Sequence, residues 1–313
     1  MNAYQKFDQL AQQVTDEVIA LLEQGKVPWQ KPWTSYGLPR NYLSGWHYEG
    51  FNAFYLHYIT GERNLTTPYF LTFKQAQELG GRVRKGEKGT PIIYWKIKKE
   101  AEGSTAGQEE EKEGHAIKFV PFIWTVFNID QVEGVDFALP APLGRNEMQL
   151  LEACQRVVEH FPLPKPRIAH GGAQAYYAPD TDRVQLPELK RFGSPEAYHA
   201  TLFHELIHAT GHPARLNRFT DQEKGSCFGD ENYSAEELIA EMGASFLCAF
   251  TGIKEEVFPN SVAYLQGWVR VFKEDRTMLL YASARALKAA TFILDLQAEG
   301  NREGLPAWPP DDL

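Results

Sequence analysis

The sequence contains few cysteines and no long apolar stretch. Its 313 residues include three cysteines, Cys154, Cys227 and Cys248. This odd, widely spaced set excludes a disulfide scaffold and a cysteine-rich zinc site, and is typical of a reducing cytoplasm. No run of about 18 apolar residues is present, which excludes a membrane span. The N-terminus lacks a basic segment followed by an apolar one, so we expect no secretory signal and a cytoplasmic location.

The net negative charge of the chain comes from its second half. Residues 1–130 carry 15 Lys or Arg and 15 Asp or Glu, whereas residues 131–313 carry 17 and 26. Within the first half, residues 74–99 hold eight basic side chains and two acidic ones. Any nucleic-acid surface should therefore lie in the first half.

Length and composition predict two domains of α+β class. A chain of 313 residues exceeds the size at which single cores stop growing, about 250 residues. Pro140, Pro142 and Gly144 mark the junction, so we predict a mixed α/β domain over residues 1–138 and a second domain over residues 145–313. Residues 99–115 are almost entirely polar and small, and we expect a solvated insertion there.

Apolar periodicity and end signals predict six helices. Ser194 and Pro195 form a strong helix start, and Gly211 a helix end. The predicted spans are residues 4–24, 72–79, 146–160, 194–210, 234–250 and 263–298.

The strongest chemical signal is the motif His204-Glu205-Leu206-Ile207-His208. On a helix, residues four apart share one face, so both imidazoles can reach one zinc ion. Glu205 can then meet water at the metal and act as a general base. Two imidazoles and a carboxylate favour zinc, with manganese as the alternative.

The sequence offers more than one candidate for the third metal ligand. Glu237 and Glu241 stand four residues apart in the next predicted helix, and this resembles the gluzincin arrangement, in which an early Glu binds zinc and a later acid orients a ligand histidine. Ser234 and Glu237 also form a capping box, which would leave Glu241 as the ligand. His212 is a weaker substitute. We expect Glu236 to be solvated, because the helical wheel turns it away from this face.

A short strand predicted over residues 175–178 is a candidate neighbour of the metal motif. An edge strand there would align an extended peptide through main-chain hydrogen bonds. The alternative is an ordinary sheet strand.

Aromatic side chains are concentrated between residues 29 and 58, where ten of them occur. Single-stranded nucleic acid needs stacking surfaces and cations along its phosphates. Our candidate DNA-binding residues are Trp29, Trp33, Tyr42, Trp46, Tyr48, Arg82, Arg84, Lys85 and Lys88. Phe51, Phe54, Tyr55 and Tyr58 are expected in the core instead.

Several short motifs follow one order along the chain. In the first half they are Pro28-Trp29-x-x-Pro32-Trp33, Pro39-Arg40-Asn41, Tyr48-x-Gly50-x-Asn52, Leu71-Thr72-Phe73-x-x-Ala76, Gly80-Gly81-x-Val83-x-Lys85-Gly86-Glu87-Lys88-Gly89 and Val126-Phe127-Asn128. In the second half they are His204-Glu205-x-x-His208-x-x-Gly211-His212, Arg215-Leu216 and Glu236-Glu237-Leu238-x-Ala240-Glu241. Together they resemble the ArdC family of plasmid antirestriction proteins, with a zincin-type metallopeptidase domain second.

The resemblance implies a function. The first domain should bind single-stranded DNA without marked sequence preference, and the protein should protect incoming plasmid DNA from restriction during conjugation. One alternative is a zinc metalloprotease that cleaves a host protein and binds DNA only for localisation. Another is a DNA-coating module with a structural or vestigial metal. We expect single-stranded DNA and a peptide or protein substrate as partners, and no membrane.

Overall fold

The computed structural model describes residues 1–30, 37–99, 117–140, 146–219, 231–253 and 262–295. Within these ranges the first domain contains helices α1 Ala3–Glu23, α2 Gly50–Glu62 and α3 Phe73–Glu78, and strands β1 Arg40–Asn41, β2 Tyr69–Thr72, β3 Arg82–Val83, β4 Thr90–Lys99, β5 Ile117–Asn128 and β6 Val132–Glu133. The second contains helices α4 Glu147–Glu159, α5 Pro195–Thr210, α6 Glu231–Thr251, α7 Val262–Glu274 and α8 Met278–Ile293, and strands β7 Arg167–His170, β8 Tyr176–Ala178 and β9 Arg183–Leu186.

A four-stranded sheet organises the first domain. Its strand order is β1-β2-β5-β4, with β1 parallel to β2 and the other neighbours antiparallel. Thr72, Val126 and Thr90 form one row across β2, β5 and β4. Helix α1 begins at a capping box between Asn2 and Gln5, because each side chain accepts the other's orphan backbone N–H.

A three-stranded sheet lies beside the helices of the second domain. Its order is β7-β9-β8, with β7 parallel and β8 antiparallel to β9. Within the described residues, β8 is therefore an edge strand. Helix α5 packs on α6, and α6 packs on α8.

The two domains share one continuous hydrophobic core. Helix α1 packs against α7, and α2 packs against α8. The ring of Trp29 contacts that of Trp268, with centroids 5.3 Å apart at 63°. The hydroxyl of Ser245 on α6 also donates to the carbonyl oxygen of Trp29. Burial of apolar side chains between the halves therefore contributes to the stability of both.

The structure confirms the α+β class and most of the predicted helices. The predicted helix over residues 263–298 is wrong, because Asp275 accepts hydrogen bonds from the backbone and hydroxyl of Thr277 and interrupts it between α7 and α8. The predicted insertion over residues 99–115, apart from Lys99, lies outside the described residues. The domain limits at residues 138 and 145 stay predictions. In the described ranges, no helix combines the length and hydropathy required to cross a membrane.

Candidate metal centre and nucleic-acid surface

Helix α5 carries the HExxH motif in a buried position. Ser194 accepts a hydrogen bond from the backbone N–H of Ala197 at 3.1 Å, and Pro195 occupies the first helical position, as the sequence predicts. The helix ends at Gly211. His204 and Glu205 are only 4% and 5% exposed. Two such polar side chains have a high desolvation cost unless they are paired or bind an ion.

Helix α6 crosses α5 at very close range, and glycine makes this possible. A Cβ atom on Gly243 would lie 2.7 Å from Cδ1 of Ile207, which stands inside the HExxH motif. Real Cβ atoms do not approach so closely. The absence of a side chain at position 243 therefore brings the acidic residues of α6 to the two histidines.

Three side chains converge where the helices cross. Nε2 of His204 and Nε2 of His208 are 3.1 Å apart. Oε2 of Glu237 lies 3.5 Å from Nε2 of His204, and Oε1 of Glu237 lies 3.4 Å from Nε2 of His208. Among the described residues, this is the group whose donor atoms all lie within 4.8 Å of one another.

The spacing of these three groups fits a tetrahedral metal ion. Ligand bonds of about 2.0–2.1 Å at tetrahedral angles separate the donor atoms by about 3.3 Å. The observed separations lie between 3.1 and 3.5 Å, with a different oxygen of Glu237 facing each imidazole. A neutral imidazole pair facing one carboxylate is also the donor set that zinc prefers.

Glu205 lies against the edge strand of the small sheet. The backbone N–H of Tyr177 on β8 donates a hydrogen bond to its carboxylate. Burial raises the pKa of Glu205, and the neighbouring imidazoles of His204 and His208 oppose this rise. The edge strand and Glu205 are thus direct neighbours.

Glu236 is half-buried, with 18% of its side chain exposed, and it pairs with His208 and Arg218, so the expectation that it is solvated is wrong. Its Oε1 lies 3.2 Å from Nδ1 of His208, on the side of the ring away from Glu237. Arg218 donates to both of its oxygens, at 3.0 and 2.6 Å. The guanidinium also donates to the hydroxyl of Thr210 and to the carbonyl oxygen of Ile207, at 2.7 and 2.9 Å. Glu236 therefore lies where it can fix the orientation of the His208 ring.

No sequence signal that we used identifies the pair of Glu236 and Arg218. Glu236 is displaced by about 100° from Glu237 on the helix. Both can nevertheless reach His208 because they approach different nitrogens of its ring. Arg218 lies in the loop after α5, and only the path of that loop brings it back to the helix.

Glu241 and His212 lie outside the group of three. Glu241 is 7% exposed, and burial raises its pKa to about 7. Its Oε2 has no hydrogen-bond partner among the residues that the structure describes. His212 accepts a hydrogen bond from the backbone N–H of Ala214. Helix α6 begins at Glu231, so Ser234 is inside the helix rather than at its N-cap and the capping-box reading of Glu237 fails. The geometry therefore favours Glu237.

The charges of this cluster favour a cation. Burial alone would raise the pKa of Glu237, but positive charge on His208 and hydrogen bonds from both imidazoles hold it far below its usual range. Burial would lower the pKa of His208, yet the carboxylates of Glu237 and Glu236 raise it well above 6.5. Both pKa shifts show that positive charge between α5 and α6 is stabilised by the surrounding carboxylates.

A second ion pair fastens the edge strand to the end of α5. The side chain of Arg215, fully buried, contacts Asp182 and the hydroxyl of Tyr177, and donates to the carbonyl oxygen of Ala209 at 2.7 Å. Asp182 also accepts from the hydroxyl of Tyr177 at 2.8 Å. These contacts set the position of β8 relative to the HExxH helix.

Two of the predicted DNA-stacking residues are in the core, and this part of the prediction is wrong. Trp29 is 2% exposed and packs between Phe54 and Trp268. Tyr48 is 6% exposed and contacts Phe70. Neither ring offers a free face to a base. The sequence misled because prolines and polar residues surround these aromatics, whereas long-range packing covers them.

The other predicted aromatics are partly exposed or not described. Tyr42 is half-buried, with its ring 4.9 Å from that of Phe137. Trp46 is also half-buried. Trp33 lies outside the described residues. Phe51, Phe54, Tyr55 and Tyr58 are in the core, as predicted.

The four predicted basic residues are exposed at one turn of the first domain. Arg82 pairs with Glu133 at 2.7 Å, and Arg84 pairs with Glu87 at 2.8 Å. Within the described part of the chain, Lys85 and Lys88 make no ion pair. The two lysines are therefore the cations most available to phosphate.

Comparison with known proteins identifies both halves. Residues 8–127 match a family model described as the N-terminal domain of anti-restriction factor ArdC, and residues 157–285 match that of a zincin-like metallopeptidase. The metal-free crystal structure of the antirestriction ArdC protein from plasmid R388 is similar, with a TM-score of 0.69 and 32% identity over 94% of this chain and 99% of that one. This chain belongs to the ArdC family.

The R388 relative also has a Mn(II)-bound crystal structure. It is similar to the present ArdC-family chain with a TM-score of 0.68 and 33% identity, over 91% of this chain and 97% of that one. Together with the zincin-like domain and the group His204, His208 and Glu237, it indicates a divalent metal.

Curated relatives place this ArdC-type region in other contexts. Two DNA primases TraC from Escherichia coli are 35% and 33% identical over 93% of this chain, which covers only 28% and 20% of their own lengths. The chain thus spans about a quarter of those primases. Protein y4eC from Sinorhizobium fredii (strain NBRC 101917 / NGR234) is 30% identical over 93% of each chain.

Proposed function

We propose that this ArdC-family protein binds single-stranded DNA without marked sequence preference and protects incoming plasmid DNA during conjugation. Its second domain is proposed to carry a zinc metallopeptidase centre. The single observation that carries the enzymatic part is the 3.1–3.5 Å spacing of His204, His208 and Glu237 at the helix crossing.

His204, His208 and Glu237 would hold the metal, with Glu241 as the alternative third ligand. Zinc suits the donor set best, and manganese is the alternative. When bound, a divalent cation supplies Lewis acidity, which polarises a substrate carbonyl and lowers the pKa of water.

Glu205 would act as the general base. Its carboxylate would take a proton from the attacking water and deliver it to the nitrogen that leaves when the peptide C–N bond breaks. The edge of β8, which pairs with no further strand among the described residues, would align an extended peptide beside it through main-chain hydrogen bonds. The contact between Glu205 and Tyr177 supports this arrangement.

The distribution of net charge favours the peptide in the second domain and the DNA on the first. Residues 131–313 hold nine more acidic than basic side chains, so their field repels phosphates and leaves the metal cleft to a peptide. DNA is assigned to the first domain. A cytoplasmic site of action in bacteria is part of this proposal, and the plasmid origin of the R388 relative supports it.

Glu205→Gln is the central test. We expect the variant to keep its metal in elemental analysis and to lose hydrolysis of a peptide library, read by mass spectrometry. His204→Ala should lose the metal itself. Equal hydrolysis by wild type and Glu205→Gln would refute the proposed centre.

Plasmid transfer into a restricting recipient separates the alternatives. If Glu205→Gln still protects the plasmid, DNA coating suffices and the metal is structural or vestigial. If protection fails in Glu205→Gln although DNA binding is intact, hydrolysis of a host protein is required. The control is Glu188→Gln, an exposed position outside the cleft whose carboxylate pairs with Lys190.

A further inference from the structure

The first domain exposes an aromatic side chain that the sequence analysis did not select. Phe73 is 50% exposed although it directly follows the buried strand β2. It is held in place because Thr72 caps helix α3, accepting from the backbone N–H of Gln75 at 3.2 Å. A single exposed apolar residue is ordinary on a protein surface, so the surroundings of this ring decide what it can bind.

The ring of Phe127, on the inner strand β5, contacts the ring of Phe73. The two ring centroids are 6.3 Å apart at 61°. A Cβ atom on Gly89 would lie 2.9 Å from the same Phe127 ring. Phe73 and the basic turn that ends at Gly89 therefore both contact one aromatic side chain.

The basic turn is rigid where it meets this aromatic pair. The carbonyl oxygen of Lys88 accepts from Arg63 at 2.6 Å and from Gln131 at 3.0 Å. Gln131 also donates to Glu87 at 2.9 Å. Arg63 and Gln131 thus fix the backbone of the turn at Lys88, while Lys85 and Lys88 remain exposed. A pre-organised surface loses less conformational entropy when it binds.

We propose that Phe73 is a base-stacking residue for single-stranded DNA, with Lys88 and Lys85 on the adjacent phosphates. This inference rests on the proposed DNA binding and gives it a location. An exposed ring near cations that form no ion pair with any described residue is the combination that single-stranded nucleic acid recognises. A duplex offers no free base faces, so the surface should prefer the single strand.

Fluorescence anisotropy with a labelled oligothymidylate tests the proposal in the full-length protein. Loss of one stacked base corresponds to about tenfold weaker binding, and we expect this for Phe73→Ala. The slope of log affinity against log salt should stay unchanged, because no phosphate contact is lost. Lys88→Ala should instead reduce the magnitude of that slope by about 0.7.

Three further variants isolate the contribution of base stacking to DNA affinity. Phe73→Leu keeps an apolar contact with Phe127 but has no π face, so it should bind as weakly as Phe73→Ala. Phe73→Trp should bind at least as well as wild type. Tyr281→Ala, which removes a 39% exposed ring from the second domain, should have no effect.

The outcomes distinguish two failures. If wild type binds the oligonucleotide and Phe73→Leu binds equally well, Phe73 is not a stacking residue and the inference is wrong. If wild type does not bind at all, the proposed DNA-binding function itself fails. Equal weakening by Phe73→Ala and Tyr281→Ala would also overturn the inference.

Discussion

Nδ1 of His208 lies 3.2 Å from the carboxylate of Glu236, while Nε2 of the same ring faces Glu237 at 3.4 Å. One imidazole therefore lies between two consecutive carboxylates of α6. Because Arg218 donates to both oxygens of Glu236, the loop after α5 contributes to the orientation of a candidate metal ligand.

Arg218→Met should weaken metal binding by about 10–100-fold, since the carboxylate that orients His208 loses its anchor. Titration calorimetry with Mn²⁺, and zinc competition against a chromogenic chelator, would measure this change. Arg82→Met, at an exposed ion pair in the first domain, is the control. Wild-type affinity in Arg218→Met would show that the anchor does not matter.

Gly243→Ala should push α5 and α6 apart. Overpacking of this kind costs about 1–3 kcal/mol in the free energy of unfolding, and the metal affinity should fall with it. Adding Ile207→Ala removes the opposing side-chain atoms and should restore part of the metal affinity, although loss of this fully buried side chain lowers the free energy of unfolding further.

The matched control for this change is Gly267→Ala on α7. A Cβ atom there meets no atom of the described residues within 4 Å, so the free energy of unfolding should rise by about 0.5–1 kcal/mol. Urea unfolding would measure the free energy of unfolding of Gly243→Ala, of the double variant and of Gly267→Ala. Equal effects at the two glycines would contradict the close crossing.

Trp29→Ala should destabilise the protein by about 3–5 kcal/mol, because a large core side chain is lost between the two domains. Trp29→Leu retains apolar volume but no aromatic face. Its melting temperature should fall while its affinity for single-stranded DNA stays within about twofold of wild type. Weaker DNA binding at an unchanged melting temperature would restore the stacking role that burial argues against.

Asp182→Asn should destabilise the protein in a pH-dependent way. Burial alone would raise the pKa of Asp182, but hydrogen bonds from Arg215 and Tyr177 hold it below its ordinary value. The stabilisation from the charged form is therefore complete above about pH 5 and is lost as pH falls through the lowered pKa, below about pH 4.

Urea unfolding of wild type and Asp182→Asn between about pH 3 and pH 6 tests this pH dependence. The difference in free energy of unfolding should shrink at the acidic end. The exposed neighbour Asp180, changed to Asn, controls for the loss of one negative charge. A difference that stays constant with pH would mean that Asp182 is not stabilised as an anion.

Local patterns determined much of this protein. The spacing of His204 and His208 places both rings on one helical face, and Ser194 with Pro195 fixes where that helix begins, because each effect acts within a few residues of the chain. Most helices and the two-domain α+β class could be predicted for the same reason. The order of the motifs along the chain was also sufficient to indicate the family.

Tertiary structure decided what depends on distant residues. Only the crossing at Gly243 brings Glu237 to the histidines, and only the path of the loop after α5 gives Glu236 its arginine. Packing across the domain boundary buries Trp29, while Phe73 stays exposed beside the lysines. Burial and inter-element contact depend on the whole set of packed elements, so no local pattern in the sequence contains them.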